Sequence, residues 1–418
     1  MNPRLVSLRH SAFVLALLLI TANPSRGEIT ISTDFEGGSA KVVSIDQPAN
    51  MIRFMPGGDP ARGWPCWWFL RADGAPRGAT IRFELVPSDA PIPQEGGYKG
   101  RPLPFFWAAA SRAAVSFDGR TWTQTAAGAK DSSRIIYTIE APGGPIWLAW
   151  GPPFTPRDTA ALAKREGSSG IWTPFELSRT HEGRAVTALH LGKSDARPAV
   201  WIQARQHAWE SGGSWVCAGF IEWAAGADPL AGWLRDHAEI VAVPIMDVDH
   251  VTTGDGGKDA LPQDHNRDWT AQPHWPEVAA AQKRLGGFAQ QHRLEVFVDL
   301  HNPGPSDRTF FYISPGELLA PDAAKREESF LAIARTQFVG PIPFDQKVRE
   351  TGAKYHPLWR QISKNWIRAN AAPESIALTL ENAWNTPAST IDGYKTNGAQ
   401  LGRTIALYLQ QLQKSGTR

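Results

Sequence analysis

WIQARQHAWESGGSWVCAGFIEW, the stretch covering residues 201–223, begins inside an apolar run and ends in a segment whose apolar residues recur with helical spacing. The run at 199–204 predicts a buried strand, and residues 213–225 predict a helix. His207 and Glu210 lie between the two, three residues apart. In an open α/β sheet, ligands bind at the edge where a strand ends and a helix begins. The stretch therefore predicts an α/β domain with a polar site at the edge of its sheet.

An imidazole and a carboxylate three residues apart on a tight turn can converge on one cation. Zinc accepts this mixture, and two His with one Glu and a water in the fourth position form a catalytic set. The pattern H-x-x-E is nevertheless common, and a His beside a Glu also fits a surface ion pair. The rest of the chain has to supply a second His and catalytic groups before a metal site is favoured.

Length and composition indicate a soluble globular protein of two or three domains. The chain has 418 residues, of which 42% are hydrophobic, and this is enough apolar material for a large core. Eighteen Trp residues indicate thick cores, although Trp also lines sugar and peptide clefts. Cys66 and Cys217 are the only cysteines, so we expect two buried thiols in different domains and no Cys-based zinc site.

Residues 1–27 have the pattern of a secretory signal peptide. Arg4 and Arg9 precede an apolar segment at 12–20 that is too short to span a bilayer comfortably, and small residues allow cleavage near Gly27. We expect a secreted or periplasmic protein with no membrane segment after cleavage. An uncleaved N-terminal anchor is the alternative.

The charge balance argues against a nucleic-acid partner. The formal charge of +2 becomes −1 without residues 1–27, because 43 basic residues lose three and 41 acidic residues lose none. No basic tract stands out in the remainder, so nucleic acid is not an expected partner.

Residues 28–152 predict an all-β sandwich domain, because short alternating or aromatic runs recur between turn signals. Turn residues at 118–119 and 142–144 separate several of these runs, and two prolines at 152–153 mark the end of the domain. The predicted strands are 41–43, 51–54, 67–70, 80–83, 114–117, 135–137 and 146–150.

Residues 153–418 predict an α/β domain with a mixed, largely parallel sheet flanked by helices, because strands alternate with helical segments. The predicted strands are 199–204, 239–245, 294–300, 310–313 and 375–380. The predicted helices are 213–225, 276–292, 321–338, 357–370 and 398–413.

Titratable residues stand at the ends of three of these strands. His207 and Glu210 follow the first, His301 ends the strand that begins at 294, and Glu381 ends the last strand. A single His at a strand end is more often a satisfied core or rim residue. Four such groups at three strand ends favour a functional site.

A loop between the two halves of this set contains Asn266 and Arg267. An Arg fork can hold a carboxylate through two parallel hydrogen bonds, and an adjacent Asn can supply a third donor. Considered by itself, the segment also fits a solvated turn with ion pairs.

Taken together, the motifs resemble those of the zinc metallocarboxypeptidases. The β-sandwich in front, and Pro153-Phe154-Thr155 at the junction, are most similar to the cytosolic-carboxypeptidase branch. The resemblance covers nearly all of the mature chain and implies the carboxypeptidase fold. Its motifs, in chain order, are the H-x-x-E pair His207 and Glu210, the pair Asn266 and Arg267, the strand-end His301, and the Thr-x-Glu of Thr379 and Glu381.

The resemblance implies a zinc-dependent carboxypeptidase that hydrolyses the C-terminal peptide or isopeptide bond by a metal-activated water. Its substrate would be a peptide with a free C-terminal carboxylate. The implied roles are one zinc ion on His207, Glu210 and His301, a general base at Glu381, and a carboxylate clamp at Asn266 and Arg267.

Two positions depart from the family pattern. The family has an Arg ahead of the Asn that stabilises the oxyanion, whereas this chain has Lys258, which can substitute as a point charge. The family also often uses a Tyr on a mobile loop ahead of the base, and Tyr355 is the candidate in that interval. Asp268 follows the clamp, and we expect it to restrain Arg267 or to repel acidic side chains.

Two other functions remain open from the sequence. An amide hydrolase or deacylase of the aspartoacylase kind shares the H-x-x-E start and a later His, but it does not account for the long β-sandwich. A catalytically silent peptide-binding or cell-wall-binding module would have no need of Glu381 as a base.

Overall fold

The computed structural model describes residues 27–94, 97–193 and 198–416. The predicted signal peptide, apart from Gly27, lies outside the described residues. Within these ranges, no helix combines the length and the apolar character needed to cross a membrane. Cys66 and Cys217 are both buried free thiols, as predicted.

The N-terminal part of the described chain forms two five-stranded sheets, ordered β1-β4-β10-β6-β7 and β2-β3-β5-β9-β8. Neighbouring strands are antiparallel, except that β3 and β5 run parallel. The strands are β1 (Thr30–Ser32), β2 (Lys41–Asp46), β3 (Met51–Met55), β4 (Phe69–Asp73), β5 (Thr80–Leu85), β6 (Ala114–Ser116), β7 (Thr123–Gln124), β8 (Ala129–Lys130), β9 (Ile135–Glu140) and β10 (Ile146–Ala149).

One hydrophobic core lies between these two sheets. Ile52 and Phe54 on β3 face into it, while Arg53 between them is exposed, as the two-residue period of a strand requires. The ring of Trp68 lies 5.4 Å from that of Phe54 and 5.6 Å from that of Tyr137. Burying a large side chain of this kind stabilises the fold by about 1.5–3 kcal/mol. The alternation of apolar and polar residues along β3 therefore identifies the side chains that enter the core between the two sheets.

The remainder of the described chain alternates between strands and helices. Its elements are α1 (Pro156–Ser168), β11 (Thr173–Arg179), β12 (Ala185–Leu191), β13 (Ala199–Ala204), α2 (Ser211–Ala225), α3 (Pro229–His237), β14 (Glu239–Val243), α4 (Val248–Thr253), α5 (Pro276–Gln290), β15 (Leu294–His301), β16 (Thr309–Ile313), α6 (Pro321–Gln337), β17 (Phe344–Glu350), α7 (Ser363–Asn370), β18 (Ile376–Glu381) and α8 (Ile391–Lys414).

The strands of this region form one mixed sheet of eight, in the order β11-β12-β14-β13-β15-β18-β16-β17. The central strands β14, β13, β15 and β18 are parallel, and β16 runs antiparallel to β18. Every residue of β13, β14 and β18 is buried, as expected for strands that are covered on both faces. The structure confirms the predicted mixed, largely parallel sheet flanked by helices.

The sequence prediction missed several elements and misplaced two helix starts. Edge strands β11 and β17 are mostly exposed or half-exposed, so no apolar run marks them. The helix predicted at 357–370 begins only at Ser363, because a 3₁₀ turn at Trp359–Gln361 precedes it. Helix α8 begins upstream of the predicted start, where the Thr390 side chain accepts the Gly393 N–H at 3.1 Å. The missed elements are β11, β12, β17, α1, α3 and α4 in the α/β region, and β1, β7 and β8 in the sandwich.

Helices α2 and α8 pack backbone against backbone. A Cβ atom added at Gly398 would lie 2.1 Å from the carbonyl oxygen of Val216, and one at Gly219 would lie 2.3 Å from that of Lys395. Only glycine permits this approach at either position. The contact fixes α2, which begins directly after Glu210.

The sandwich and the mixed sheet share an aromatic cluster. Trp209 and Trp384 belong to the α/β region but pack into the core of the sandwich. The ring of Trp150 lies 4.2 Å from Trp384 and 5.2 Å from Trp209. Trp209 stands between His207 and Glu210 in the chain, so the sandwich packs directly on the turn that carries them.

Candidate functional site

The predicted site residues lie at the carboxyl ends of three parallel strands, at one edge of the sheet. Strand β13 ends at Ala204, and the turn after it carries His207 and Glu210. Strand β15 ends at His301, and β18 ends at Glu381, which lies opposite His301 in the register of the two strands. Because β13, β15 and β18 are adjacent, their carboxyl ends place all four side chains around one cleft.

His207, Glu210 and His301 form a compact buried cluster. Nδ1 of His207 lies 2.8 Å from one carboxylate oxygen of Glu210, and Nδ1 of His301 lies 2.6 Å from the other. One ligand atom from each residue falls within 4.8 Å of the other two. Two imidazole nitrogens and a carboxylate in this arrangement fit a catalytic zinc ion.

An outer carboxylate orients the imidazole of His301. Nε2 of His301 lies 3.0 Å from Asp299, whose carboxylate also accepts the Ser363 hydroxyl at 2.6 Å. Nε2 of His207 lies 3.8 Å from Asp264, which is too long for a hydrogen bond, and both atoms are buried without a hydrogen-bond partner among the described residues. The Asp299 contact fixes which nitrogen of His301 carries the proton and leaves its Nδ1 as the metal-binding atom.

The charges of the cluster also favour a cation. Burial opposes the charge of Glu210, but His207 and His301 lower the pKa of its carboxyl to about 2. Burial likewise opposes protonation of His301, but Asp299 and Glu210 raise the pKa of its imidazole well above the ordinary value. A proton or a metal ion is therefore held where these groups meet.

Glu381 faces the same cleft from the end of β18. Burial, together with the nearby charge of Glu210, raises the pKa of its carboxyl to about 8, although His301 opposes the shift. Its Oε2 atom is buried and has no hydrogen-bond partner among the described residues. A buried carboxyl that is not committed to another group is suited to accept and return a proton.

Arg267 lies in a buried 3₁₀ turn, His265–Arg267, and lines the cleft. Its Nη1 donates to the carbonyl oxygen of Asn266 at 2.8 Å. Its Nε is buried without a partner in the part of the chain that the structure describes. Burial disfavours the charge of Arg267, but Asp264 raises its pKa above the ordinary value. The side chain is therefore a fixed cation with an unused donor.

Both neighbours of Arg267 in the chain contact other parts of the protein. Asn266 lines the cleft, but its Oδ1 accepts the N–H of Ser363 at 3.0 Å, and its Nδ2 lies 3.3 Å from Nε2 of His301. Its carboxamide is thus held partly by the protein. Asp268 does not restrain Arg267, since its carboxylate accepts the backbone N–H groups of His274 and Trp275 at 2.9 and 2.8 Å.

Lys258 reaches the cleft from a segment held by the sandwich. Its Nζ lies 5.1 Å from the ring centre of Trp64, and the Trp64 N–H donates to the carbonyl oxygen of Lys258 at 3.0 Å. The Trp64 indole N–H also donates to Asp259 at 2.9 Å. Burial disfavours the ammonium, but Asp259 and Asp264 leave the pKa of Lys258 above the ordinary value. Lys258 is therefore a positioned cation.

Tyr355 lies at the mouth of the cleft, with 43% of its surface exposed. The ring centre is 5.9 Å from Cζ of Arg267 and 5.3 Å from the ring of Tyr312. Tyr355 therefore lines the cleft close to Arg267, and its contact with substrate stays a prediction.

The cleft has a volume of about 310 Å³ and contains residues that sequence reasoning missed. Tyr312 is on β16, whose apolar run gave no functional signal. Trp107 comes from the sandwich, and no sequence pattern relates it to His207. Asp307 pairs with Arg349 at 2.6 Å across the outer wall. The missed lining residues include Trp107, Trp209, Asp307, Phe310, Tyr312 and Thr351.

The sequence is similar to those of known proteins. Residues 160–301 match the family model described as zinc carboxypeptidase. Cytosolic carboxypeptidase 3 of Bos taurus is 27% identical over 129 residues, which are 30% of this chain and 13% of that protein. An uncharacterised protein of Zymomonas mobilis is 26% identical over 275 residues, which are 65% of this chain and 68% of that protein. The chain thus matches only a small part of the bovine protein.

A solved structure shows the same fold. The metallo-carboxypeptidase from Burkholderia cenocepacia superposes with a TM-score of 0.77 at 23% identity. The superposition covers 92% of this chain and 100% of that one, so it includes both the β-rich region and the mixed sheet.

Proposed function

We propose that this chain, which carries a zinc carboxypeptidase domain over residues 160–301, is a metallocarboxypeptidase that hydrolyses the C-terminal peptide or isopeptide bond of a peptide. One observation carries the proposal. The buried cluster of His207, Glu210 and His301 shares a cleft with an uncommitted carboxyl at Glu381 and with Arg267, whose buried Nε has no hydrogen-bond partner among the described residues.

The cluster would hold one zinc ion, which in such sites lowers the pKa of a water molecule to about 7 and polarises a carbonyl group. Glu381 is placed to accept the proton of the attacking water and then to pass it to the leaving amine. Its position beside His301 in the strand register fixes the distance between base and metal ligand.

Arg267 would bind the terminal carboxylate of the substrate. Its unpartnered Nε and the buried turn that carries it suit a two-pronged hydrogen bond. Tyr355 would cover the same carboxylate from the mouth of the cleft, and Asn266 would add a donor from its partly held carboxamide. A clamp for a chain-end charge explains why the reaction would be confined to the last bond.

Lys258 would face the oxygen that becomes negative during attack. A fixed cation there stabilises the developing charge without needing to move. Because Trp64 contacts Lys258 through its ring and its backbone N–H, the sandwich would contribute to catalysis by positioning this cation.

Mass spectrometry of a peptide library tests the proposal directly. Purified protein should shorten peptides by one C-terminal residue, and a chelator should abolish the reaction until zinc is restored. Glu381→Gln is the matched control, because it keeps the shape of the side chain but cannot accept the proton.

The same experiment separates the rival functions. A deacylase would cleave acyl-amino acids and leave the peptide library intact. A silent binding module would retain peptides without shortening any of them. Either result would overturn the carboxypeptidase proposal.

We also propose that the protein is exported as a secreted or periplasmic enzyme. The Arg-flanked apolar segment at 12–20 and the small residues near Gly27 support this. Mature protein recovered from outside the native cell's cytosol should begin near Glu28. Protein that keeps Met1 and remains in the cytosol would contradict the proposal.

A further inference from the structure

A second cluster of metal-ligand type lies outside the cleft. Asp247 and His250 are three residues apart, between β14 and the middle of α4, and His265 opens the turn that carries Arg267. Nδ1 of His250 lies 2.7 Å from the Asp247 carboxylate, and Nδ1 of His265 lies 3.6 Å from the same oxygen. One ligand atom from each falls within 4.8 Å of the others, and all three residues are at most 2% exposed. We propose that Asp247, His250 and His265 form a second metal-binding site.

His265 is prepared as a ligand in the same way as His301. Its Nε2 lies 2.6 Å from the buried carboxylate of Glu277, and the ring of Trp275 stacks on it at 4.5 Å with an interplanar angle of 9°. Its Nδ1 is buried and has no hydrogen-bond partner among the described residues. A carboxylate on one ring nitrogen and a free lone pair on the other is the arrangement that metal-binding imidazoles adopt.

The buried charge of the cluster calls for a cation. Within the described ranges, neither Asp247 nor Glu277 has a Lys or Arg nitrogen within 4.0 Å, and both are paired only with His. The cation is therefore either a proton on His265 or a metal ion that displaces it. The experiment has to distinguish these two.

The ligand atoms determine the kind of metal. Two imidazole nitrogens and one carboxylate suit zinc or another borderline transition ion and do not suit calcium or magnesium. The short contact between Asp247 and His250 does not exclude an ion, because the contacts inside the cluster of His207, Glu210 and His301 are just as short.

The position indicates a structural role. Asp247 and His250 follow strand β14, whereas His265 immediately precedes Asn266 and Arg267. An ion bound here would tie the end of β14 to the loop that carries the proposed carboxylate clamp. The consequence for substrate binding rests on the proposed function, but the metal site itself does not.

Zinc content per chain tests the proposal. Protein loaded with zinc and freed of excess metal by gel filtration should contain two equivalents. His265→Gln and His301→Ala should each contain one, and the double variant should contain none. His274→Gln is the matched control, because His274 is an exposed neighbour of the same loop, and it should retain two. Asp247→Asn provides a second, nearly isosteric variant if His265→Gln fails to fold by circular dichroism.

Cobalt substitution supplies a reading that does not depend on activity. His301→Ala loaded with Co²⁺ should keep visible ligand-field absorption, and adding His265→Gln should remove it. One zinc equivalent in the wild type, lost in His301→Ala and kept in His265→Gln, would mean that the second cluster holds only a proton, and the proposal would be overturned. One equivalent lost only in His265→Gln would instead uphold this site and refute the zinc site of the proposed function.

Discussion

Replacing Arg267 with Ala should abolish the preference for a free C-terminal carboxylate. Arg267 Nη1 is committed to the Asn266 carbonyl, which leaves Nε, buried and unpartnered among the described residues, as part of a two-pronged edge. Hydrogen bonds to charged groups contribute about 1.5–3 kcal/mol each, so losing two costs about 3–6 kcal/mol. At about 1.4 kcal/mol per tenfold, kcat/KM on a free-acid peptide should fall by about a hundred- to ten-thousandfold.

The assay compares one peptide as its free acid and as its C-terminal amide. The wild type should cleave the acid far faster than the amide, whereas Arg267→Ala should cleave both at similar low rates. Amidation of the peptide and substitution of Arg267 each remove the same interaction, the one between the guanidinium and the terminal carboxylate. Arg267→Lys should recover only part of the loss, since an ammonium cannot reproduce the two-pronged geometry. Arg360→Ala is the control, because Arg360 is an exposed cation stacked on Trp359 and should leave the preference unchanged.

Two results would refute this reasoning. Equal cleavage of acid and amide by the wild type would mean that no group in the cleft recognises the chain-end charge. Losses from amidation and from Arg267→Ala that simply multiply would mean that the guanidinium and the carboxylate do not meet. Circular dichroism and metal content of each variant establish that the fold and the zinc site are intact.

Three further predictions follow from the site. Glu381→Gln should keep its metal while kcat falls by about a hundred- to ten-thousandfold, and near wild-type turnover would place the base elsewhere. Asp299→Asn should weaken zinc affinity by about ten- to a hundredfold in chelator competition, because His301 loses its orienting carboxylate; an unchanged affinity would contradict this. Trp64→Leu should lower kcat by up to about thirtyfold through loss of a cation–π contact of about 0.5–2 kcal/mol to Lys258. Trp64→Phe should largely rescue it, and the zinc content of both variants should match the wild type.

The sequence by itself determined the central sheet and the list of residues around it. Strand β13 is buried along its whole length, so its apolar run was visible without any knowledge of its neighbours. His301 and Glu381 stood out because each interrupts an apolar run at the end of a strand. The carboxyl ends of adjacent parallel strands meet at one edge, so the convergence of these residues followed from the fold class alone.

Edge elements were not readable in the same way. Strands β11 and β17 keep mostly exposed or half-exposed side chains, because only one of their edges pairs within the sheet. The hydrophobic pattern of a short segment indicates how much of its surface is buried, and these two strands are largely exposed. Their existence depends on a partner strand that is already in place.

Only the tertiary structure decided which groups surround the predicted residues. Trp107 reaches the cleft from the sandwich, Trp64 contacts Lys258, Asp299 becomes the partner of His301, and His265 meets Asp247. Contacts between distant segments arise from how whole sheets and loops pack. The hydrophobic periodicity of either segment does not identify its partner. The residue types of the site are therefore local information, whereas the hydrogen bonds and charges that tune them exist only once the two regions have packed together.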